Sequence, residues 1–356
     1  MNNTDIKYFL AANSSEGFVS HFSGCYDVND GWKAYIIKGG PGTGKSSFMK
    51  HIAYKAIENN ENITLCPCTS DPDSLDGIIL NDRKTVFLDG TSPHTLDPAY
   101  PGICEEILNF GEFWNGDILF QNKEEIINIT NENKSLHRTA SGNIKAAGEL
   151  IKDSYKISAA CSDKEKIKKY ALKLCKKHII EDSDKFNEQI RFLTATTPKG
   201  VISFANTTLA TAQNKIIIED SCGFVSTEIF RIIRNCCIDK KLSFITVLNP
   251  FLPSLMIDGI IIPNISLAFI REYEYSHITS DTRRVHSRRF TKAKQLSKNR
   301  KRLRFNKNTA NKLLLNAVNT LSNAKSVHDD LELCYRKAMD FEALTKFATE
   351  FEKKIF

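Results

Sequence analysis

The residues best equipped for chemistry stand together in one short run: Gly39, Gly40, Pro41, Gly42, Thr43, Gly44, Lys45, Ser46 and Ser47. Their spacing is G-x-x-x-x-G-K-[ST], in which glycines let the backbone approach phosphate oxygens and take conformations closed to residues with a Cβ. Successive N–H groups at a helix start then form an anion-binding concavity. In this reading Lys45 aims a point charge at the β- and γ-phosphates of ATP, and Ser46 offers its hydroxyl to Mg²⁺. Downstream, "TVFLDG" (residues 85–90) is an apolar strand ending in an acid, and Asp89 is the expected metal partner, although Asp-Gly is also ordinary turn chemistry. Gly90 stands where many ATPases carry a glutamate, so the group that activates the attacking water has no candidate there. "CTSDPDSLDG" and "DGTSPHTLDP" add Asp71, Asp73, Asp76, His94 and Asp97. As a group these sit where strand-end loops position a nucleophile or metal; singly, each also fits a turn or a helix cap.

A phosphate loop has to be mounted between a strand and a helix. "AYIIK" before it is rich in β-favouring residues, and the pattern after it predicts a helix from Lys45 to Glu58. "NITLCPC" and "KTVFLDG" read as further short strands, and an opening strand covers residues 8–12. Strands alternating with helices predict an α/β architecture: a mostly parallel sheet with helices on both faces. Residues 102–177 turn polar and helical, which reads as a helical hairpin appended to that core.

The pattern then repeats. "FLAANSSEGFVS" (residues 9–20) aligns with "FLTATTPKGVIS" (192–203), and "IIKGGPGTGKSSFMK" (36–50) with "IIIEDSCGFVSTEIF" (from residue 216), placing Ile37 over Ile218. "SLDGII" matches "SLMIDGII", "VFLDGTSPH" lies over "FIREYEYSH", and "AAGELIKD" lies over "NAKSVHDD". The reading is two tandem P-loop NTPase-like domains: residues 1–183 with helical extension 102–177, and 184–356 with a basic arm at 282–312 and C-terminal helices. The boundary falls in the polar stretch 181–189. The second loop has Asp220 for Gly39, Ser221 for Gly40, Val225 for Gly44 and Ser226 for Lys45. It has lost its lysine, Val cannot readily take a glycine-only conformation, and Glu219 and Asp220 bring negative charge. Glu272 lines up with Asp89 as the surviving strand-end acid. The second half is then either a binding module or an intramolecular partner that makes the chain a pseudo-dimer.

"KGGPGTGKSS", "CTSDPDSLDG" and "DGTSPHTLDP" in a duplicated chain resemble a family of uncharacterised bacterial tandem P-loop ATPases, and the resemblance covers nearly the whole length. It implies ATP bound by residues 39–47, with Asp89 as metal partner. Family members typically keep a phosphate loop in both halves, and this chain departs from them there.

The net charge of +7 becomes −7 once the fourteen Lys and Arg between Thr282 and His328, a stretch without any acid, are set aside. Twelve of them lie from Arg283 to Lys307, a concentration suited to nucleic acid, polyphosphate or an acidic protein, though charge runs are commonly just solvated helix faces. Ten cysteines in a chain of 356 residues without paired C-x2-C spacing read as reduced thiols rather than a disulfide or zinc framework. No secretory signal or membrane-length apolar run is visible, which makes a cytoplasmic setting the expectation. The function expected is a Mg²⁺-dependent ATPase or ATP-driven switch using the first-half site alone. A small-molecule or nucleotide kinase is one alternative, and an ATP-regulated protein binding nucleic acid or an acidic partner is another. Arg231 and Arg234 are the expected donors of any arginine finger.

Overall fold

The computed structural model describes residues 6–180, 186–279, 282 and 284–356. Part of the expected domain boundary, and Arg283 of the basic arm, lie outside the described residues. In chain order the first half holds the hairpin β1 (Ala11–Ser14) and β2 (Gly17–Ser20), then β3 (Lys33–Lys38), α1 (Lys45–Glu58), β4 (Ile63–Pro67), β5 (Leu75–Leu80), β6 (Thr85–Asp89) and β7 (Glu105–Asn109). Three helices follow: α2 (Gly116–Gln121), α3 (Lys123–Cys161) and α4 (Lys164–His178). The second half holds β8 (Asn187–Arg191), the hairpin β9 (Thr194–Thr197) and β10 (Gly200–Ser203), α5 (Thr207–Thr211), β11 (Asn214–Glu219) and α6 (Phe224–Asp239). It continues with β12 (Ser243–Leu248), β13 (Ile257–Ile262), β14 (Leu267–Glu272), β15 (Arg284–His286), α7 (Ala293–Lys298), α8 (Arg300–Arg336) and α9 (Phe341–Ile355).

The architecture is mixed α/β with two main sheets, ordered β4-β5-β6-β3-β7 and β15-β11-β14-β13-β12-β8. Read outward from the strand before each loop, the two orders match over five strands, and β8 adds a sixth at the edge of the second sheet. The first sheet is only half parallel, since β3 runs parallel to β6 and β7 whereas β4-β5 and β5-β6 are antiparallel. The second has three parallel pairs, β11-β14, β11-β15 and β12-β8, and two antiparallel ones. In the first sheet the reason is local, since only residues 81–84 join β5 to β6, and a connection that short can make only an antiparallel pair. β7 lies inside the segment expected to be wholly helical, and β15 inside the basic arm. At five and three residues, neither carries an apolar run long enough to announce it. Nor do helices cover both faces of the first sheet. Its far face packs on Leu10, Phe22 and Cys25 from the N-terminal hairpin region instead.

The two halves meet through reciprocal contacts. Phe9 and Phe192 exchange N–H···O bonds of 2.8 and 3.0 Å. α3 and α8 run antiparallel past each other, with Asn133 donating to the Ala324 carbonyl at one end and Arg302 to Asp153 at the other. Buried Ala140, Ala147, Ala310 and Ala317 allow the close approach.

These long helices carry each half's last helix onto the other half's sheet. α4 begins at the N-cap Asp163 and puts Ile167, Ala171 and Leu174 into the core around α6. α9 begins at the N-cap Asp340 and buries Leu344 and Phe351 against Tyr35, Phe48 and Phe87 of the first half. Each such side chain contributes about 1.5–3 kcal/mol of apolar burial. The expected division at residues 1–183 and 184–356 therefore does not describe the cores, because each sheet is finished by a helix from the other half.

Candidate functional site

The glycine-rich loop joins β3 to α1, and α1 has the bounds expected from sequence. Gly42 (φ +66°) and Gly44 (φ +85°) are left-handed, with Gly44 serving as the helix N-cap. Lys45 Nζ donates to the carbonyls of Gly39 (3.1 Å) and Gly40 (2.7 Å) and lies 3.7 Å from Asp89 Oδ2. The other Asp89 oxygen accepts from the Thr91 N–H at 2.9 Å. Ser46 Oγ accepts from the Leu75 N–H at 3.0 Å, tying the loop to β5. Thr43 Oγ1 donates to the Gly40 carbonyl.

All of residues 39–47, with Asp71, Asp76, Asp89 and His94, line one cavity of about 960 Å³. Asp73 and Asp97 do not; they are exposed partners of Lys199 and Lys38. Asp76, expected in a loop, sits on β5 and is buried, and burial raises its pKa against the lowering effect of His94.

The far wall comes from the two helical segments expected from sequence, on which sequence reading names no site residue. α3 contributes Asn133, Lys134, His137 and Arg138, and α8 contributes Lys325, His328, Glu332, Tyr335 and Arg336. Lys325 Nζ reaches Asp71 at 3.6 Å. Burial, then the charge of His328, lowers the pKa of His137, while the His328 hydrogen bond lowers that of Glu332. Arg231 and Arg234, the expected finger donors, are engaged elsewhere: Arg231 with Glu228 and the Leu255 carbonyl, Arg234 with Glu188. The arginines on the cavity are Arg138 and Arg336. Both lie in polar helical stretches where a charge reads as solvated surface, and only the crossing of α3 and α8 turns them inward.

The cover sits tightly on the loop. A Cβ added at Gly40 would fall 2.7 Å from the Tyr335 ring, and one at Gly44 would fall 2.9 Å from Leu344. Gly40→Ala is expected to cost about 1–3 kcal/mol as overpacking, with Tyr335→Ala in the same chain restoring part of it; thermal unfolding of the single and double variants checks this.

The second loop explains its own missing lysine. Strand register pairs Ile37 with Asp89 and Ile218 with Arg271, so Arg271, not Glu272, holds the place of Asp89. The alignment by sequence was one residue out there, and Glu272 instead pairs with Arg284. Arg271 Nε donates to the Asp220 carbonyl (2.7 Å) and Nη2 to that of Ser221 (3.2 Å), the counterparts of the two carbonyls that Lys45 holds. Its charge is met by Asp258 at 2.8 Å, and its guanidinium lies 4.1 Å over the Tyr273 ring. The Asp220 carboxylate accepts from the N–H groups of Cys222 (3.2 Å) and Ser226 (2.9 Å). Val225 avoids the left-handed conformation because α6 starts at Phe224, with Gly223 (φ +82°) as its N-cap. This loop thus carries its own anion and its own cation. In the first half Gly39 has no side chain with which to do the same.

Compared with protein-family models, with curated proteins and with solved structures, the chain matches none.

Proposed function

We propose that the first-half cavity binds Mg²⁺·ATP and that the chain is an ATPase or ATP-driven switch working from this site alone, built from an active and a degenerate P-loop unit. The observation that carries this reading is the convergence of Lys45, Ser46 and Asp89 on a loop whose two left-handed glycines open onto one cavity. The residues fit the group: Ser46 and Asp89 would hold the metal, and residues 39–45 would hold the phosphates. Bound there, Mg²⁺ neutralises charge on the phosphoryl oxygens. Lys45 places its ammonium on the terminal phosphates, and Arg138 and Arg336 add positive charge from the opposite wall. The ends of α8 and α9 pack over the loop, with Tyr335 against Gly40 and Leu344 against Gly44. Phosphate release from ATP, with Lys45→Ala alongside, tests the reading; tight binding without release redirects it to a kinase lacking its acceptor.

A second reading is favoured by the placement of the basic segment. It forms no separate arm: it is β15, a helical turn at Ser287–Phe290, α7 and the start of α8. It packs beside the start of α4, with Lys166 donating to the Arg289 carbonyl and the Lys292 N–H to that of Cys161. Exposed Lys164, Lys168, Lys294, Lys298, Arg300, Lys301 and Arg304 therefore share one end of the molecule. Such an end suits a nucleic-acid backbone. About 50 Å of helix separates Arg300 from Glu332 at the cavity, so ATP would act on it through α8. Binding of duplex DNA or RNA should fall linearly with log salt, and each of Arg300→Gln, Lys301→Gln and Arg304→Gln should reduce that slope by about 1. A slope untouched by all three removes this reading.

No helix among the described residues is long and apolar enough to cross a membrane.

A further inference from the structure

Asp76 and its counterpart in the second half solve the same problem differently. Register pairs Gly77 with Leu88 and Gly259 with Ile270, so Asp76 corresponds to Asp258 and Asp89 to Arg271. Cys68, whose N–H donates to the Ser74 carbonyl, corresponds to Asn249, whose N–H donates to that of Met256. Asp258 is fully served, by Asn249 Nδ2 at 2.9 Å and Arg271 at 2.8 Å. At the same places around Asp76 stand a thiol and a second acid. Among the described residues, Asp76 Oδ2 and His94 Nδ1 are buried without a hydrogen-bond partner. A buried carboxylate in that setting calls for a cation.

The donors for one are in place. A sulfur of Cys68, an oxygen of Asp76 and a nitrogen of His94 all lie within 4.8 Å of one another. His94 Nε2 is 3.5 Å from Asp76 Oδ2. Two ligand atoms bound tetrahedrally at about 2.1 Å stand about 3.4 Å apart. The Ser70 N–H donates to Cys68 Sγ at 3.3 Å, the bond a thiolate ligand accepts. The His94 ring is held between aromatic rings, Phe22 at 4.7 Å and Phe18 at 5.0 Å, rather than by a hydrogen bond on its far nitrogen. Thiolate, imidazole and carboxylate together suit a borderline-soft ion and not Mg²⁺.

We propose that Cys68, Asp76 and His94 bind a Zn²⁺ ion whose fourth position faces the cavity containing the phosphate loop. All three side chains line that cavity. Three protein ligands with one open position is the arrangement of zinc sites that hold water or substrate, in contrast to closed structural sites. Sequence spacing could not announce it, because the ligands come from just past β4, from the start of β5 and from the loop after β6.

The site stands without the ATP reading, and its test uses no nucleotide. Metal-free full-length protein is titrated with Co²⁺, whose bond to a thiolate gives a near-ultraviolet charge-transfer band. The expected result is saturation at one equivalent, reversal by Zn²⁺, and loss of the band in Cys68→Ser. His94→Gln should keep the band but weaken binding by at least roughly 10–100-fold, the range for losing even an outer-shell partner. Far-ultraviolet circular dichroism of both variants confirms folding. Absence of a one-equivalent band in the native chain, or a band undiminished in Cys68→Ser, overturns the proposal.

Discussion

Lys45→Ala is expected to lower phosphate release from Mg²⁺·ATP by about 100–1,000-fold, the range for removing one preorganised donor from developing charge. Its effect on stability should be small. Asp89 keeps its bond from the Thr91 N–H, so the loss should stay near 1 kcal/mol. That combination separates a catalytic lysine from a structural one. Lys45→Arg should not rescue, since a planar fork cannot occupy the place of a compact ammonium held by the Gly39 and Gly40 carbonyls. Multiple-turnover phosphate release and urea unfolding on the same preparations decide it. Unchanged release in Lys45→Ala would place any ATPase activity outside this loop and end the reading.

Arg271→Met should have the opposite profile. It removes the partner of buried Asp258 and the donor to two loop carbonyls, and breaking such a pair costs about 3–5 kcal/mol. Asp258→Asn in the same chain removes the stranded charge while leaving an amide oxygen for Asn249, and should recover at least half the loss. The urea midpoints of the wild type, both single variants and the double form the test. A double variant as unstable as Arg271→Met would show that carbonyl bonding, rather than the ion pair, closes the loop. The folded fraction of each variant should release phosphate at the native rate, because neither residue lines the first-half cavity.

What the sequence announced was local. Gly42, Gly44, Lys45 and Ser46 carry their meaning in a few consecutive positions, and Asp89 stands at the end of an apolar run, so both were readable together with α1. The repeat was readable as well, but not to the residue. Whether Arg271 or Glu272 stands for Asp89 depends on cross-strand register, and residue similarity favoured the acid. Arg138, Lys325 and Arg336 were hidden because charges beside the apolar stripe of a long helix read as solvated surface, and what those charges face is decided by a helix from the other half. The apolar stripes of α4 and α9 require a sheet to cover, yet nothing in their pattern says which one. Asp76 and His94 were visible as single residues and Cys68 only as one reduced thiol among ten, and it takes the end of β4, the start of β5 and the loop after β6 to bring them together.

The crossing of the long helices has a consequence for synthesis. Leu344 and Phe351 complete the core beneath the glycine-rich loop, and Tyr335 covers Gly40. The roughly 300 residues from Ser46 to Leu344 take about 15–60 s to emerge at ~5–20 residues per second. Throughout that interval the nascent loop has neither its cover nor its finished core. A ribosome-bound chain stopped before α9 should therefore be protease-sensitive at α1, although every residue of the glycine-rich loop has already been made.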